Sequence, residues 1–94
     1  MPVRWLRRAL RNLEDVYDFI AEDNHAAASA AVARLYEAAS QLDSFLALGR
    51  PGRVVGTREL VVPGTPYIIP YRVRDREVEV LAVLHTSRRW PSRL

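Results

Sequence analysis

Two consecutive runs in the second half of the chain decide the fold: Tyr67-Ile68-Ile69-Pro70-Tyr71-Arg72-Val73 and, after a charged turn, Val78-Glu79-Val80-Leu81-Ala82-Val83-Leu84-His85. A third run, Thr57-Arg58-Glu59-Leu60-Val61-Val62, precedes them across a Pro/Gly break. Three β-rich runs separated by tight breaks predict an antiparallel meander. Pro70 cannot donate a hydrogen bond to a strand ladder, so we expect a bulge or an edge-facing amide at that position.

The last run assigns its side chains to two surfaces, because successive residues of a strand point to opposite faces. We expect one set to face the helices: Val78, Val80, Ala82 and Leu84. The other set should face away from them: Glu79, Leu81, Val83 and His85. Arginine and histidine at the ends of the last two runs collect polar groups at one edge of the sheet. This edge suggests a surface for an anionic partner.

The first half of the chain predicts a short strand and two helices. Residues 2–6 can form the strand, and a helix over about 7–22 follows, because apolar residues recur every three or four positions. These residues are Leu6, Leu10, Leu13, Tyr17 and Ile20. Asn24 offers an N-cap for the second helix, which Gly49 and Pro51 end. Its apolar face comprises Ala28, Val32, Leu35, Ala39, Leu42 and Leu46.

The element order is β-α-α-β-β-β. It predicts an α+β fold in which a helical hairpin packs on one face of a small antiparallel sheet. A chain of 94 residues fits one domain, residues 1–94. Without cysteine it has no thiolate metal site and no disulfide framework, which is typical of a cytoplasmic protein. No apolar run approaches the length of a membrane span, so we expect no membrane-spanning segment. The two histidines lie on different elements, and we expect neither a metal site nor a cofactor.

The net charge of +3 is unevenly distributed. Residues 1–49 contain five arginines and seven acidic residues, whereas residues 50–94 contain nine arginines and four acidic residues. The sheet half is therefore basic, and its field attracts polyanions or an acidic partner. All basic residues are arginine, which suits bidentate recognition of phosphate or carboxylate but also follows from a GC-rich genome.

The candidate reactive or binding residues of this chain form one polar set in the sheet half. It comprises Arg58, Glu59, Arg72, His85, Arg88 and Arg89, with Trp90 beside it. Such a set could cleave RNA, with His85 or Glu59 moving a proton and arginines stabilising the charged phosphorus centre. It could equally be a docking surface without chemistry, in which Trp90 stacks on a base, enters a partner's pocket or covers the end of the core.

The chain resembles the ParE/RelE superfamily, the small toxins of bacterial type II toxin–antitoxin modules. Five segments carry the resemblance, which runs nearly end to end. They are Val3-Arg4-Trp5-Leu6, Tyr17-Asp18-Phe19-Ile20-Ala21, Val55-Gly56-Thr57-Arg58-Glu59-Leu60, the run 67–73, and Val83-Leu84-His85-Thr86-Ser87-Arg88-Arg89. Pro70 departs from the family pattern, which usually has an aliphatic residue there. The resemblance implies a RelE/ParE-like fold and a growth-inhibiting, plasmid-stabilising toxin that forms a hetero-oligomer with its cognate antitoxin.

The superfamily has two mechanisms. RelE-type members cleave mRNA in the ribosomal A site with basic strand residues and often a C-terminal tyrosine, whereas ParE-type members poison DNA gyrase. Here Val61 and Ile68 stand where the ribonuclease branch tends to have basic residues, and no tyrosine follows Tyr71, while Arg88 matches a basic position of that branch. The resemblance therefore favours DNA gyrase as the target, with the ribosome and mRNA as the alternative. A remnant that binds only its antitoxin is a third possibility.

Under the ParE-type interpretation no residue is catalytic. The expected target-binding residues are Arg58, Arg72, His85, Arg88, Arg89 and Trp90. Under the ribonuclease interpretation the catalytic set is Arg58, Arg72, His85 and Arg88. Leu13 and Leu35 are expected in the hairpin core.

Overall fold

Two helices pack on one face of a mixed sheet in the computed structural model, which describes residues 1–88, 90, 91 and 94. The helices are α1, Arg7–Ala21, and α2, His25–Ser40, and a 3-10 turn at Gln41–Asp43 extends the second. The strands are β1 (Val3–Trp5), β2 (Arg50–Pro51), β3 (Arg58–Val61), β4 (Tyr67–Arg74), β5 (Glu77–Val80) and β6 (Leu84–His85). No helix of the described residues is long and apolar enough to cross a bilayer.

The helical hairpin forms where the apolar periodicity predicts it, but its second helix is shorter than expected, since α2 and its 3-10 turn end at Asp43 and not at Gly49. Asn24 caps α2, since its side-chain oxygen accepts a hydrogen bond from the backbone N–H of Ala27 at 3.0 Å. Leu13 and Leu35 are both buried, which confirms the expectation that they lie in the core. Leu10 is a correction, because it is 47% exposed. In α1 the small Ala9 is buried instead, which shifts the inward face by one position.

The sheet is mixed rather than wholly antiparallel. Its order is β1-β5-β4-β3-β2, and β3, β4 and β5 form the expected antiparallel meander. The strand β1 joins the edge of β5 in parallel, with Val3 opposite Val78 and Trp5 opposite Val80. A parallel neighbour requires a long connection, which the helices and the meander provide between β1 and β5.

The irregularity expected at Pro70 is present, and the extra residue lies on the neighbouring strand. Tyr71 pairs with Val80 and Ile68 pairs with Leu84, so three residues of the last run stand opposite two of β4. The C=O of Pro70 accepts from the N–H of Leu81 at 2.9 Å, which places the missing N–H of the proline on this side. The ladder is thus interrupted where the proline cannot donate, and the partner strand bulges there.

The bulge overturns the predicted facing of the last residues. One extra residue moves every following side chain to the opposite face. Val83 therefore belongs to the core cluster, and its N–H donates to Oδ1 of Asn12 at 3.0 Å. His85 pairs with Tyr67 on the helix side, whereas Leu84 does not face the helices as expected.

Tyr71 connects the sheet to the loop that follows the helices. Its side chain is fully buried, and its hydroxyl donates to the C=O of Leu46 at 2.7 Å and accepts from the N–H of Gly49 at 2.9 Å. A Cβ at Gly49 would lie 2.6 Å from a ring carbon of Tyr71 and 2.9 Å from the carbonyl oxygen of Glu59. The loop can approach this closely only because residue 49 has no side chain.

Candidate target-binding surface

The predicted target-binding residues lie on both faces of the sheet. The helix face contains Tyr67, Ile69 and Tyr71 of β4, which pack against the helical hairpin, and the opposite face is called the open face. Arg72 follows Tyr71 and therefore points to the open face. Arg58 pairs with Tyr71 and His85 pairs with Tyr67, so both lie on the helix side of the sheet.

Arg58 and His85 are also far apart along the sheet. Their partners Tyr71 and Tyr67 are four residues apart on β4, which is about 13 Å at roughly 3.3 Å per residue. They lie on different sides of that strand, since Arg58 is in β3 and His85 is in β6. The four-residue set required by the ribonuclease interpretation is thus not assembled into one site.

Arg72 belongs to an ion-pair network on the open face. Its Nε donates to Oε1 of Glu79 at 2.8 Å, and a terminal nitrogen of Arg4 donates to Oε2 of the same carboxylate at 2.9 Å. Arg4 also pairs with Glu77 at 3.3 Å. The hydrogen bond from Arg72, followed by that from Arg4, lowers the pKa of Glu79, and the hydrogen bond to Glu79 raises the pKa of Arg4.

This network has a structural function. The Glu79 side chain is only 8% exposed, so its carboxylate requires these partners. The positive charges of Arg4 and Arg72 balance the negative charges of Glu77 and Glu79. The Arg72 side chain is one third exposed, so its terminal nitrogens can still contact a partner although its Nε is already used.

Arg58 supports the loop before β2. A terminal nitrogen of its guanidinium donates to the C=O of Gly49 at 2.7 Å, and its side chain is partly buried. Together with Tyr71, it thus satisfies both backbone groups of Gly49. The structure places Arg58 in a fold-stabilising position rather than in a cluster with the other predicted residues.

His85 of β6 and Arg88, which follows this strand, lie together beside α1. Both line a cavity of about 170 Å³, whose walls also include Asn12 and Asp15. The His85 ring packs edge-on against Tyr67, with centroids 5.5 Å apart, and its Nδ1 accepts from the N–H of Ser87 at 3.0 Å. An accepting Nδ1 leaves Nε2 to carry the proton of the neutral ring, so the histidine presents a donor.

Two residues near the C-terminus, Arg88 and Trp90, form cation–π contacts with earlier parts of the chain. The guanidinium carbon of Arg88 lies 4.9 Å from the ring centroid of Phe19 in α1. That of Arg53 lies 3.5 Å from the ring centroid of Trp90. Trp90 is half-buried in this position. Arg89, the remaining predicted residue, lies outside the described part of the chain.

Sequence reasoning missed Arg53 and the role of Glu59. The Glu59 carboxylate is nearly fully buried and accepts from the backbone N–H of Arg53 at 2.9 Å. Guanidinium nitrogens of Arg50 and Arg53 each lie 3.3 Å from it. Arg50 and Arg53 thus occupy the Glu59 carboxylate, which is therefore not free to accept a proton from a substrate. A single acid among closely spaced arginines in residues 50–59 was the signal that could have indicated this cluster.

Within the described residues, no group of three or more histidine, cysteine, aspartate or glutamate side chains could hold a metal ion. The arrangement instead offers guanidinium groups and aromatic rings on two surfaces. Such groups recognise phosphates, carboxylates and protein surfaces.

Comparison with known proteins gives one consistent result. Residues 3–90 match the family described as "ParE toxin of type II toxin-antitoxin system, parDE". The chain is 47% identical over 89 residues to "Putative toxin Y4kP" of Sinorhizobium fredii, covering 95% of this chain and 92% of that protein. It is 34% identical over 86 residues to "Toxin RelE2" of Caulobacter vibrioides, covering 92% and 96% of the two chains.

A solved structure agrees with these relatives. A chain of the "Chromosomal ParDE TA system from P. aeruginosa" matches with a TM-score of 0.86 at 28% identity, covering 93% of this chain and 97% of that one. The family match spans nearly the whole sequence, and the fold agrees over the same extent. The chain belongs to the ParE toxin family of type II toxin–antitoxin systems.

Proposed function

We propose that this toxin inhibits DNA gyrase by binding, and that a protein antitoxin from the same module neutralises it. The ParE family match and the likeness to a ParDE chain support this assignment. A gyrase inhibitor acts where the chromosome is, so the proposal places the protein in the cytoplasm.

The observation that carries the proposal is the separation of the candidate catalytic residues. A ribonuclease requires a proton-transfer group and cationic groups around one phosphate. Arg72 lies on the open face, whereas Arg58 and His85 lie on the helix side at separate places. Glu59 is buried in contact with two arginines. These groups suit distributed contacts with a large partner better than one reacting centre.

The alternative is a ribosome-dependent endoribonuclease. One observation favours it: His85 and Arg88 line the same cavity. In that reading His85 moves a proton while Arg88 stabilises the charged phosphate. The relative named "Toxin RelE2" shows that both names occur among similar proteins.

One pair of assays separates the two mechanisms. The purified toxin is titrated against gyrase supercoiling and against mRNA cleavage in a translation extract. We expect loss of supercoiling and no ribosome-dependent cleavage. His85→Ala should still inhibit gyrase fully when enough of the variant is added, because a lost binding contact is overcome by mass action. Cleavage by the parent that His85→Ala abolishes, with ribosome binding intact, would overturn the gyrase assignment, since loss of a proton-transfer group costs about 10²–10⁴ in rate.

A further inference from the structure

The loop between β2 and β3 presents two valines to solvent, Val54 and Val55, here called the valine tip. Val55 is 99% exposed and Val54 is 40% exposed, and neither belongs to the hydrophobic core of the described residues. They lie in a turn formed by residues 54–57, in which the N–H of Thr57 donates to the C=O of Val54 at 3.1 Å. A single exposed apolar residue is ordinary on a protein surface, but these two are adjacent and held in a fixed position.

Hydrogen bonds fix the base of this turn. The N–H of Gly52 donates to the C=O of Thr57 at 2.8 Å, and the Thr57 hydroxyl donates to the C=O of Val54 at 2.6 Å. The buried carboxylate of Glu59 fixes the arm before the turn, since it accepts from the N–H of Arg53 at 2.9 Å. The fold thus orders a segment whose apolar side chains lie outside the core.

Gly56 gives the turn its shape. Its φ of +83° lies in the left-handed region, at the third position of the turn, where a type II turn requires a positive φ. A Cβ at this position would meet no atom within 4 Å. The backbone conformation that places Val55 at the tip therefore favours glycine, whereas the surrounding space does not require it.

Basic and aromatic side chains border the valine tip. Arg53 precedes Val54 in the chain, and its guanidinium carbon lies 3.5 Å from the ring centroid of Trp90. Arg53 thus links the valine tip to Trp90, which is half-buried. Residues 50–59 contain three arginines and a single acidic residue, Glu59, so the apolar tip has a basic surround.

These properties select the chemistry of the partner. An apolar tip with a basic surround fits an apolar pocket with an acidic rim, and such a pocket belongs to a protein. Valine has neither a flat ring that stacks on a base nor a group that hydrogen-bonds a base edge. Guanidinium nitrogens of Arg50 and Arg53 each lie 3.3 Å from the Glu59 carboxylate, which leaves them less available for phosphates. A preformed turn also loses little conformational freedom on binding, which favours affinity.

We propose that the valine tip anchors this toxin on the gyrase protein. Val55 enters an apolar pocket of gyrase, Val54 packs at the edge of that pocket, and Arg53 contacts its acidic rim. The inference rests on the proposed function, because it names a part of the toxin that binds the same target. It adds the loop before β3 to the residues that the sequence predicts to bind.

Variants of Val55 that keep its shape or its apolar character test the proposal. Val55→Thr keeps the shape but buries a hydroxyl without a partner, so the concentration that half-inhibits supercoiling should rise about tenfold. Val55→Ile keeps an apolar side chain and should be at least about fivefold more potent than Val55→Thr. Because Val55 is almost fully exposed, neither change should shift the unfolding curve.

Val61→Thr is the matched control. It makes the same chemical change at a valine that is 46% exposed and lies at the other end of β3. Its inhibition of gyrase should equal that of the parent. A loss of potency in Val61→Thr as large as that in Val55→Thr would show that the effect is not specific to the valine tip, and would overturn the inference.

A pair of variants at Gly56 tests whether the fixed turn contributes. Asparagine tolerates the left-handed conformation better than alanine does, and the space around this position admits either side chain at its Cβ. Gly56→Ala should therefore inhibit gyrase about threefold less well than Gly56→Asn, because a turn that is less well ordered pays more to bind. Equal potency of the two variants would contradict anchoring by a preformed turn.

Binding of fluorescently labelled toxin to gyrase, with and without DNA, identifies the occupant. Val55→Thr should bind gyrase about tenfold more weakly than the parent in both conditions, since the pocket belongs to the protein. Its binding to the cognate antitoxin should stay within about threefold of that of the parent, because the antitoxin does not use the same anchor. An effect of Val55→Thr that appears only when DNA is present would assign the valine tip to DNA and overturn the inference.

The remaining outcomes separate this inference from the proposed function. Inhibition of gyrase by Val55→Thr with the potency of the parent overturns the inference and leaves the proposed function standing. A parent toxin that does not inhibit gyrase overturns both. Loss of antitoxin binding in Val55→Thr with unchanged inhibition of gyrase assigns the valine tip to the antitoxin, and the anchor on gyrase is then wrong.

Discussion

At the scale of single residues, the Tyr71 hydroxyl has a measurable effect on stability. Tyr71→Phe removes the partner of the Gly49 N–H and of the Leu46 C=O in a buried site. Leaving such groups unsatisfied costs about 1–3 kcal/mol, so the free energy of unfolding should fall by that amount. Urea unfolding measures it. The control is Tyr36→Phe on α2, since Tyr36 is 57% exposed, and its change should stay within about 0.5 kcal/mol.

The Glu79 carboxylate should make stability depend on pH in the acid range. Hydrogen bonds from Arg72 and Arg4 lower its pKa in the folded state. A lowered folded pKa stabilises the fold above the unfolded pKa, and this contribution is lost as pH falls through the folded pKa. Glu79→Gln should therefore be less stable than the parent at pH 7, with a difference that shrinks below about pH 4.5.

The measurement is a set of urea unfolding curves between pH 7 and pH 3 for both proteins. Glu77→Gln serves as the control, because the Glu77 side chain is 39% exposed and, within the described residues, forms an ion pair with Arg4 alone. Its free energy of unfolding should follow that of the parent closely. A difference between Glu79→Gln and the parent that is the same at every pH would show that the lost interaction is not one of charge.

At the scale of elements, the helical hairpin depends on Leu35. This side chain is fully buried in the core cluster, and truncation of such a residue costs about 2–5 kcal/mol. A domain of this size is commonly stable by only about 5–15 kcal/mol, so Leu35→Ala should unfold readily and lose its toxicity in cells. Thermal unfolding and a growth assay test this. Leu10→Ala on the exposed flank of α1 should remain folded and toxic.

The sequence predicts best those elements in which apolar residues recur at a regular spacing. The helix expected over about 7–22 is found at Arg7–Ala21, because its apolar spacing excludes a strand. The apolar spacing does not fix the inward face to a single position, since Ala9 and Leu10 are adjacent and the structure buries the smaller of the two. For β4 and the run after it, Pro70 indicated a broken ladder. It could not indicate which strand carries the extra residue, and the facing of Val83 and His85 depends on that.

At the scale of the whole molecule, the sequence identified the basic residues but could not show which of them lie close together in the fold. Whether Arg58 and Arg72 share a face depends on the register between β3 and β4, and alternation within each strand leaves that register open. The pairing of Arg50 and Arg53 with Glu59 likewise depends on β2, a two-residue strand with no period to detect. The parallel position of β1 arises from long-range packing, which no local pattern contains.

The C-terminal segment should contribute binding energy rather than catalysis, and this is the remaining prediction. Arg88 is exposed beside Phe19, and Trp90 is half-buried beside Arg53, so each side chain can make a separate contact with a partner. A cation–π contact across an interface contributes about 0.5–2 kcal/mol. Arg88→Ala and Trp90→Ala should therefore raise the concentration that half-inhibits gyrase by roughly 2- to 30-fold each, a range that follows from RT ln of that energy.

Full inhibition should return when more of either variant is added, since a binding defect is overcome by mass action. The measurement is a dose series in a supercoiling assay, with unfolding curves to show that both variants are folded. Arg76→Ala, in the exposed turn between β4 and β5, is the control for loss of one positive charge and should retain the potency of the parent. A plateau below full inhibition at saturating Arg88→Ala would contradict the prediction. In that case Arg88 acts in a step after binding, as it would in a catalytic site shared with His85.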